Sequence, residues 1–452
     1  VAVISGCSSL FGSDDGGGGG SKRRADNIFG IHTLTFPGDD IDKHLDLAHN
    51  LVGDGGYITQ MFGPVTKETT RPTTWTVEFV RGEYNRGVIP IVRLNMPWVD
   101  GYYETPPTND GGSASGPEDY SEIAAAFKAV VQDLPRKEGM PLYIQPLKEV
   151  NLNIEWGNQT PDPTAFGYFY VAVANAIDEI DDPRIRLLST PLSPQSADSA
   201  IGTAHHTFLD TMYTNVPDTV EAFDALSVHT YPGPTPPSEN NHDGTEPAAN
   251  SRLTIDAYAY ELAVLETHGR YDVEVFITET AYQLGNGGLT RDQQEEYIVS
   301  AYLDHWEKWD EVQAVTPYIL FSEQTDEWRS FEWVAPTTTV DSEGVPSDPY
   351  PHYTAVAEIK KRPTRSFPDI PAGLGDHNMV SQSDSLLFNA EVTASSSIEL
   401  YEWLLTQIND GDTGGLGWTS EGEAQDEWVV FDLGAQETIS EVVLNPRGGD
   451  AE

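Results

Sequence analysis

Two glutamates follow short apolar runs that have the composition of buried β-strands. Glu149 comes one residue after the run 142–147, and Glu279 directly follows the run 275–278. Two carboxyl groups that face each other across a cleft can hydrolyse a glycosidic bond, because one protonates the leaving oxygen while the other attacks the anomeric carbon or activates water. The chain has 72 Asp and Glu residues, so the position of a glutamate is weak support on its own. The flanking residues decide the interpretation.

These flanking residues resemble those of glycoside hydrolase clan A, over residues 27 to 362. Lys148-Glu149-Val150-Asn151 is similar to the clan motif Asn-Glu-Pro-Asn after the fourth strand of its barrels. Ile277-Thr278-Glu279-Thr280 is similar to the motif after the seventh strand, and His229-Thr230-Tyr231 resembles a His-x-Tyr pattern after the sixth. The resemblance implies a retaining glycosidase that cleaves an oligo- or polysaccharide.

The same resemblance assigns roles to single residues. Glu149 is the expected acid/base and Glu279 the expected nucleophile, which Tyr231 would hydrogen-bond while His229 lines the site. Arg93, at the end of the third predicted strand, is expected beneath Glu279, where charge pairing would keep the carboxylate ionised. The other expected substrate contacts are His32, Trp98, Asn151, Trp156, Tyr282 and Trp328.

Neither a cofactor nor a metal ion is expected. His205 and His206 lie near carboxylates, but no ligand spacing such as His-Glu-x-x-His occurs. We expect both histidines on the surface of a helix.

Three departures from the clan pattern keep a second interpretation open. Lys148 replaces the Asn that contacts the substrate 2-hydroxyl, and Val150 replaces the motif proline. The eighth strand ends with residues 318–321, which lack the usual Trp. A cation beside Glu149 also favours the ionised carboxylate, which is the wrong form for a general acid. The alternative is a non-catalytic, glycan-binding surface protein, and a salt bridge between Lys148 and Glu149 would favour it.

The elements that must position these residues form a repeating pattern. Apolar runs alternate with amphipathic stretches from residue 27 to residue 365, as in repeated βα units. Strands are predicted over residues 28–34, 56–62, 88–94, 141–147, 185–190, 223–229, 273–278 and 312–320. Helices are predicted over residues 40–51, 118–134, 163–180, 254–268, 290–309 and 353–361. Eight such units predict an α/β fold of the (β/α)₈ TIM-barrel type, with its site at the carboxyl ends of the strands. An open doubly wound sheet is the alternative, but no glycine-rich phosphate loop follows the first strand.

Long loops follow the third, fourth, sixth and eighth predicted strands. They contain many of the aromatic residues: Trp98, Tyr102, Tyr103, Trp156, Tyr231, Trp328 and Trp333. Rings over a cleft hold the apolar faces of sugars, and packing of the loops themselves is the alternative for each ring.

The C-terminal part of the chain has a different composition. A Pro/Gly-rich linker over residues 366–377 precedes short strand-like runs in residues 378–452. The segments 392–396, 409–411, 417–420 and 428–434 resemble the discoidin, or coagulation-factor type C, domain, a β-sandwich that often binds carbohydrate. Because such domains are longer, we expect a partial sandwich of a truncated sequence, with unpaired edges at the strands 428–433 and 439–444.

The first 26 residues resemble a lipoprotein N-terminus. Ile4-Ser5-Gly6-Cys7 is similar to a lipobox, and the glycine run 16–20 forms a flexible tether. The apolar run before Cys7 is too short to span a bilayer and fits the end of a signal peptide. We therefore expect lipid attachment at Cys7 and an extracellular protein on the cell surface, with a cysteine of no special role as the alternative.

The charge of the chain restricts its partners. Its 25 Lys and Arg against 72 Asp and Glu give a formal net charge of −47. Nucleic acid and anionic lipid surfaces are excluded, since both require basic patches. The composition resembles that of haloarchaeal proteins. In molar salt the Debye length is about 3 Å, so the repulsion among their charges is largely screened. We expect a salt-adapted monomer whose partner is a carbohydrate and whose only membrane contact is the lipid anchor.

Overall fold

The computed structural model describes residues 26–199, 201–240, 253–285, 288–341, 344–379, 391–394 and 429–432. Up to residue 379 these contain strands that alternate with α-helices. The main strands are β1 (Gly30–Thr33), β2 (Tyr57–Phe62), β3 (Ile89–Leu94), β4 (Leu142–Pro146), β5 (Ile185–Leu187), β6 (Leu226–Thr230), β7 (Val275–Thr280) and β8 (Val312–Val315). The α-helices are α1 (Ile41–Val52), α2 (Thr74–Asn85), α3 (Ser121–Asp133), α4 (Pro163–Asp178), α5 (His205–Asn215), α6 (Ala259–Thr267), α7 (Arg291–Ser300) and α8 (Pro351–Ala357). Each predicted strand overlaps one of the main strands, although β6 and β7 end one and two residues later than predicted. The helices α2 and α5 lie outside the predicted helix ranges.

The strands form two parallel sheets. The first has the order β1-β2-β3-β4-β5, and the second has the order β8-β7-β6. Isolated parallel bridges connect the sheets: Phe29 with Val315, and Leu188 with Ala225. The fold is therefore mixed α/β, and its eight main strands all run in one direction, so their carboxyl ends and the following loops lie on one side.

The strands are buried on both faces. One face packs under the helices, and the other face of the first sheet packs against that of the second. The side chains between the two sheets form an inner cluster. In it, the ring of Tyr143 lies 6.3 Å from that of Tyr57 and 4.6 Å from that of Phe276. Burial on both faces explains why the strands are nearly continuous apolar runs in the sequence.

A polar layer lies between this inner cluster and the carboxyl ends of the strands. The hydroxyl of Ser227 donates to Gln145 Oε1 at 3.0 Å and lies 2.8 Å from the hydroxyl of Thr278. These polar side chains are hydrogen-bonded to one another, so their burial leaves them with partners. The charged residues of the candidate site lie beyond this layer.

Side chains that cap the first turn define the start of several helices. The Asp40 carboxylate accepts from the backbone N–H of Lys43 at 3.1 Å before α1. Asp162 caps α4, with Pro163 as the first helical residue, and Thr290 begins α7 with a capping box. These caps satisfy N–H groups that have no partner within the helix.

Gly30 lies where β1 approaches both β2 and the segment after β8. A Cβ atom on this residue would overlap the side chain of Thr316 and lie 2.8 Å from the carbonyl oxygen of Val315. We expect Gly30→Ala to lower the free energy of unfolding by about 3 kcal/mol, because overpacking forces the strands apart. Thermal melts should show a decrease in Tm of about 5–10 °C. The control is Gly112→Ala, since Gly112 is exposed and its nearest neighbour is the flexible carboxylate of Asp110; equal melting of the two variants would contradict the prediction.

The C-terminal described segments form one antiparallel pair, Glu391–Ala394 with Val429–Asp432. The predicted strand 439–444, most of the predicted sandwich, and Cys7 with the rest of the predicted lipoprotein segment lie outside the described residues. Among the helices that the structure describes, none has the length and apolar character needed to cross a membrane.

Candidate active site

Glu279 is held by side chains from β3 and from the segment after β6. It lies in β7, and its Cα pairs with that of His229 in β6. The hydroxyl of Tyr231, which follows β6, donates to Glu279 Oε2 at 2.6 Å. Arg93 of β3 is 1 % exposed and forms an ion pair with Glu279 Oε1. Both carboxylate oxygens are therefore bound, and the carboxylate has one fixed orientation.

These contacts determine the ionisation of Glu279. Burial by itself raises the pKa of the Glu279 carboxyl, but the adjacent N–H of His229 and the positive charge of Arg93 outweigh it and hold this pKa well below its usual value of 4.5. Burial and the neighbouring Glu279 raise the pKa of the Tyr231 hydroxyl, so Tyr231 keeps its proton and acts as a donor. The arrangement stabilises a carboxylate anion.

His229 connects the two glutamates. Its Nδ1 atom lies 2.9 Å from Glu149 Oε1 and 3.7 Å from Glu279 Oε2. Its Nε2 atom lies 3.3 Å from Arg93 Nη2. A guanidinium group only donates hydrogen bonds, so Nε2 accepts, and the imidazole carries its proton on Nδ1. His229 therefore donates to Glu149 and brings both carboxylates to one point.

Glu149 owes its position to an irregular turn after β4. Leu147 and Glu149 have positive φ angles of 59° and 44°, a backbone region that residues with a side chain rarely adopt. The turn is held from both sides, because Leu147 N–H donates to the carbonyl of Leu94 and Glu149 N–H to the carbonyl of Pro191. The Glu149 side chain is 16 % exposed, compared with 9 % for Glu279. Glu149 is thus the carboxylate closer to solvent.

The ion pair of Lys148 is with Glu155 and not with Glu149. Its ammonium group bonds to Glu155 Oε1 and lies 5.5 Å from the centre of the Tyr103 ring. Burial alone lowers the pKa of Lys148, but Glu155, then Glu149 and Glu279, outweigh it and raise this pKa. The salt bridge between Lys148 and Glu149, which would have favoured a non-catalytic protein, is therefore absent. Glu155 was not among the predicted site residues. Its position seven residues after Lys148, which is itself unusual in the motif, was the available sign that the two could pair.

His32 and Tyr318 form another side of the site. His32 Nε2 lies 3.7 Å from Glu279 Oε1, and burial together with Arg93 lowers the pKa of His32 to about 3. His32 is therefore neutral. The ring of Tyr318 lies 5.1 Å from that of His32 and 5.6 Å from that of Trp328. Tyr318 and Trp328 supply aromatic surface where the sequence lacks the usual Trp, and Tyr318 was not among the predicted site residues.

Asn151 is a correction to the expected set. Its side chain is fully buried, and its amide donates at 3.0 Å to the carbonyls of both Ser193 and Thr203. Its carbonyl oxygen accepts from the N–H of Ser193. These bonds use the Asn151 amide to hold two loops together, and no part of it faces the glutamates.

Three predicted aromatic contacts also lie elsewhere. Trp156 is 5 % exposed and packs edge-on against Phe166, and Tyr282 is buried against Tyr297. Trp98 is 53 % exposed on a short hairpin, with its ring 4.7 Å from that of Tyr103. None of the three has a described contact with Glu149 or Glu279.

A cleft of about 830 Å³ lies between the loops that follow β2, β3 and β4. Residues that line it include Lys67, Pro97, Tyr102, Glu104, Trp156 and Asp162. Glu149 and Glu279 do not line it. Because its loops follow the carboxyl ends of the strands, the cleft lies on the same side of the strands as the glutamates, and its walls are aromatic and polar.

The expectation for the histidine pair needs a correction. His205 is on α5 as predicted, but it is fully buried, and its Nδ1 atom lies 3.0 Å from Glu261 Oε1. The adjacent carboxylate gives Nδ1 of this buried histidine a partner in the absence of solvent. Over the described part of the chain, no group of three or more His, Cys, Asp or Glu side chains is arranged to hold a metal ion.

The chain was compared with protein families, curated proteins and solved structures. Residues 391–452 match the family model of the F5/8 type C domain, which confirms the predicted resemblance to that domain. No curated protein matches the chain by sequence. The solved structures to which the chain is similar include several glycoside hydrolases.

Three of these structures illustrate the similarity. A family 39 glycoside hydrolase from the gut symbiont Bacteroides cellulosilyticus is 16 % identical, with 74 % of this chain and 63 % of that chain covered and a TM-score of 0.49. A family 30 subfamily 8 xylanase from Clostridium acetobutylicum is 12 % identical, with coverages of 75 % and 72 % and a TM-score of 0.44. A GH26 β-mannanase from Bacteroides ovatus is 12 % identical, with coverages of 78 % and 94 % and a TM-score of 0.41. The chain thus spans less than two thirds of the Bacteroides cellulosilyticus enzyme and most of the Bacteroides ovatus enzyme.

Proposed function

We propose that this chain is a retaining glycoside hydrolase with Glu279 as the nucleophile and Glu149 as the acid/base. The observation that carries the proposal is the contact of one imidazole nitrogen, His229 Nδ1, with both carboxylates. Their different surroundings support different roles: Arg93 and Tyr231 bind Glu279, whereas Glu149 is more open to solvent.

The scaffold that we propose is a closed (β/α)₈ barrel. The strands follow one another in chain order within each sheet, and bridges join the two sheets at two places, between β1 and β8 and between β5 and β6. The packing of the inner faces of the two sheets against each other also supports closure. Such a barrel presents the carboxyl ends of its strands, and thus both glutamates, at one mouth.

The distance between the carboxylates supports retention. Because both oxygens contact His229 Nδ1, at 2.9 Å and 3.7 Å, Glu149 Oε1 and Glu279 Oε2 are separated by no more than the sum of the two, about 6.6 Å. This limit is reached only if the three atoms are collinear. Retaining enzymes have carboxyl groups about 5–5.5 Å apart, and inverting enzymes need about 6.5–9.5 Å for a water molecule. The separation leaves little room for that water.

Each residue then has a defined task. Glu279 attacks the anomeric carbon while Arg93 and Tyr231 fix its direction and keep it ionised. Glu149 protonates the leaving oxygen and then deprotonates the water that releases the sugar. His229 donates to Oε1 of Glu149, which leaves Oε2 to carry the transferred proton.

The rest of the chain fits a surface enzyme. The F5/8 type C match over residues 391–452 supports a domain that binds carbohydrate and holds the catalytic part near its substrate. We also propose lipid attachment at Cys7, an extracellular location on the cell surface, and adaptation to high salt. Mass spectrometry of the N-terminal peptide from the membrane fraction of the producing cells tests the first of these.

The configuration of the first product tests the proposed function. The protein is incubated in 2 M KCl with a panel of polysaccharides and aryl glycosides, and the anomeric proton of the product is followed by NMR. A product that first appears with the anomeric configuration of the substrate is expected. An inverted first product would contradict the mechanism, and binding without turnover would identify a glycan-binding protein instead.

The acid limb of the pH profile reports on Glu279. Since the pKa of Glu279 is held well below 4.5, its carboxylate persists as the pH falls through that value, and activity should be lost only at still lower pH. In Arg93→Met the burial of Glu279 is opposed by one charge fewer, so the pKa of Glu279 rises and the acid limb of kcat/KM should move up by about one pH unit or more. Arg93→Lys keeps the charge and is the matched control. Identical acid limbs in all three proteins would exclude Arg93 as the residue that keeps Glu279 ionised.

A further inference from the structure

The ion pair of Lys148 and Glu155 lies at the catalytic centre but has no part in the mechanism above. Lys148 directly precedes Glu149, and Glu155 ends a 3-10 helix, Asn153–Glu155, in the same loop. The Lys148 side chain is 18 % exposed and that of Glu155 is 8 % exposed. The pair is therefore partly buried, with its cationic end closer to the open mouth.

The ammonium group has unused hydrogen-bonding capacity. It carries three N–H donors, of which one bonds to Glu155. Glu155 is the one hydrogen-bond partner of Lys148 among the described residues, and the ring of Tyr103 covers another side at 5.5 Å. At least one donor is thus free to bind a hydroxyl group of a sugar that lies over Glu149.

The charges around this donor limit which sugar it can bind. Arg93 is already paired with Glu279, and Glu155 compensates Lys148, so neither cation is left to balance a further anion. Glu149 lies beside them and supplies no positive charge in either protonation state. An anionic sugar in this position would find no unpaired cation to balance its charge, whereas a neutral sugar meets a donor whose charge is balanced.

We propose that Lys148 and Glu155 act together as a specificity device that selects neutral sugars over uronic acids beside the scissile bond. Lys148 donates to a sugar hydroxyl, and Glu155 is a positioning residue that holds the ammonium group and cancels its charge. The inference rests on the proposed glycosidase function and adds the substrate class to it. Because Glu155 balances the charge of Lys148, the transition state, which resembles an oxocarbenium ion, is not destabilised by an unpaired cation.

The experiment compares two substrates on the full chain in 2 M KCl. One is the nitrophenyl glycoside of a neutral hexose on which the wild type is active, and the other is the same glycoside with a carboxylate at C6. The ratio of kcat/KM for the two is measured for the wild type, Glu155→Gln, Lys148→Gln and the control Glu179→Gln. The control removes the acid of another Lys–Glu pair, Lys128–Glu179, in which the Glu179 side chain is 69 % exposed.

The two active-site variants should shift the ratio in opposite directions. Glu155→Gln leaves Lys148 uncompensated, so activity on the neutral glycoside should fall by about tenfold to a hundredfold while the preference moves at least about tenfold toward the uronide. Lys148→Gln leaves Glu155 uncompensated and should increase the preference for the neutral glycoside. Glu179→Gln should leave both values at the wild-type level. Because the two shifts have opposite signs, damage to the fold cannot imitate them, and circular dichroism melts identify a variant that has not folded.

The possible failures are distinguishable. If the wild type hydrolyses the neutral glycoside but both variants lose activity equally on the two substrates, the selection device is overturned and the glycosidase function stands. A wild type that prefers the uronide likewise overturns the selection of neutral sugars. If the wild type hydrolyses neither a glycoside nor a polysaccharide, the proposed function fails, and the inference fails with it.

Discussion

Replacing Glu279 by Gln is expected to lower kcat/KM by about 10⁴-fold or more on every substrate, since an amide cannot replace the attacking carboxylate. Gln has the size of Glu, and its carbonyl oxygen can still accept from Arg93. We therefore expect the variant to fold and to bind glycan as the wild type does. Kinetics on aryl glycosides and calorimetry with the corresponding oligosaccharide measure the two properties separately.

The matched variant at the other carboxylate separates the two roles. Glu149→Gln removes the proposed general acid, so cleavage of substrates with poor leaving groups should fall strongly. Formation of the covalent intermediate from a glycoside of an acidic phenol needs no proton, so this step should be nearly preserved. A burst of nitrophenol followed by slow turnover is therefore expected, because the second step still lacks its base.

The control for both variants is Glu261→Gln. Glu261 is also a buried glutamate beside a histidine, His205, but it lies on α6. This control reports what the loss of a buried carboxylate does to stability alone. An E279Q protein with turnover similar to that of E261Q would remove Glu279 from the chemistry.

Salt is expected to have the largest effect on stability. Between 0.1 M and 2 M KCl we predict an increase in Tm of about 10–20 °C. The chain has a net charge of −47, and unfolding relieves the repulsion among its carboxylates by separating them. Salt screens this repulsion and so removes much of the advantage of the unfolded state.

The ion pairs of the structure leave much of this repulsion unbalanced. Asp182 alone binds two cations, Arg136 and Arg184, and Arg86 binds two acids, Asp42 and Asp46. Cations that are concentrated in such pairs do not balance the acidic residues on the rest of the surface. Many exposed acids, among them Asp181, Asp218 and Asp272, have no ion-pair partner among the described residues.

Thermal melts in a KCl series measure the effect. A set of variants replaces exposed acids by Asn step by step, beginning with Asp181, Asp218 and Asp272, and each step should make Tm less dependent on salt. Glu149 and Glu279 are kept in all of them. A wild type whose Tm does not change with salt, or neutralised variants with the full wild-type response, would show that the acidic surface is not an adaptation to salt.

The strands of this protein were predictable because they are buried on both faces. Each therefore needs an uninterrupted apolar run, and such a run is visible without any knowledge of its neighbours. The helices were less predictable: α2, with Gly82 in its interior, has a weak apolar period, and α5 begins with two histidines. The C-terminal F5/8 type C resemblance was also readable, since it depends on short motifs in a fixed order.

The contacts of single side chains depend on residues that are distant in the sequence. Asn151 follows Glu149 by two residues, yet Ser193 and Thr203 bind its amide and keep it out of the site. Lys148 is adjacent to Glu149, but the left-handed backbone at Glu149 and the return of the loop at Glu155 give it a different partner. Residue types and their spacing placed both glutamates after strands. Their meeting at His229 required the pairing of β6 with β7 and a turn after β4 that loops from other parts of the chain hold in place, because a side chain's direction is set by backbone angles and packing that local sequence does not specify.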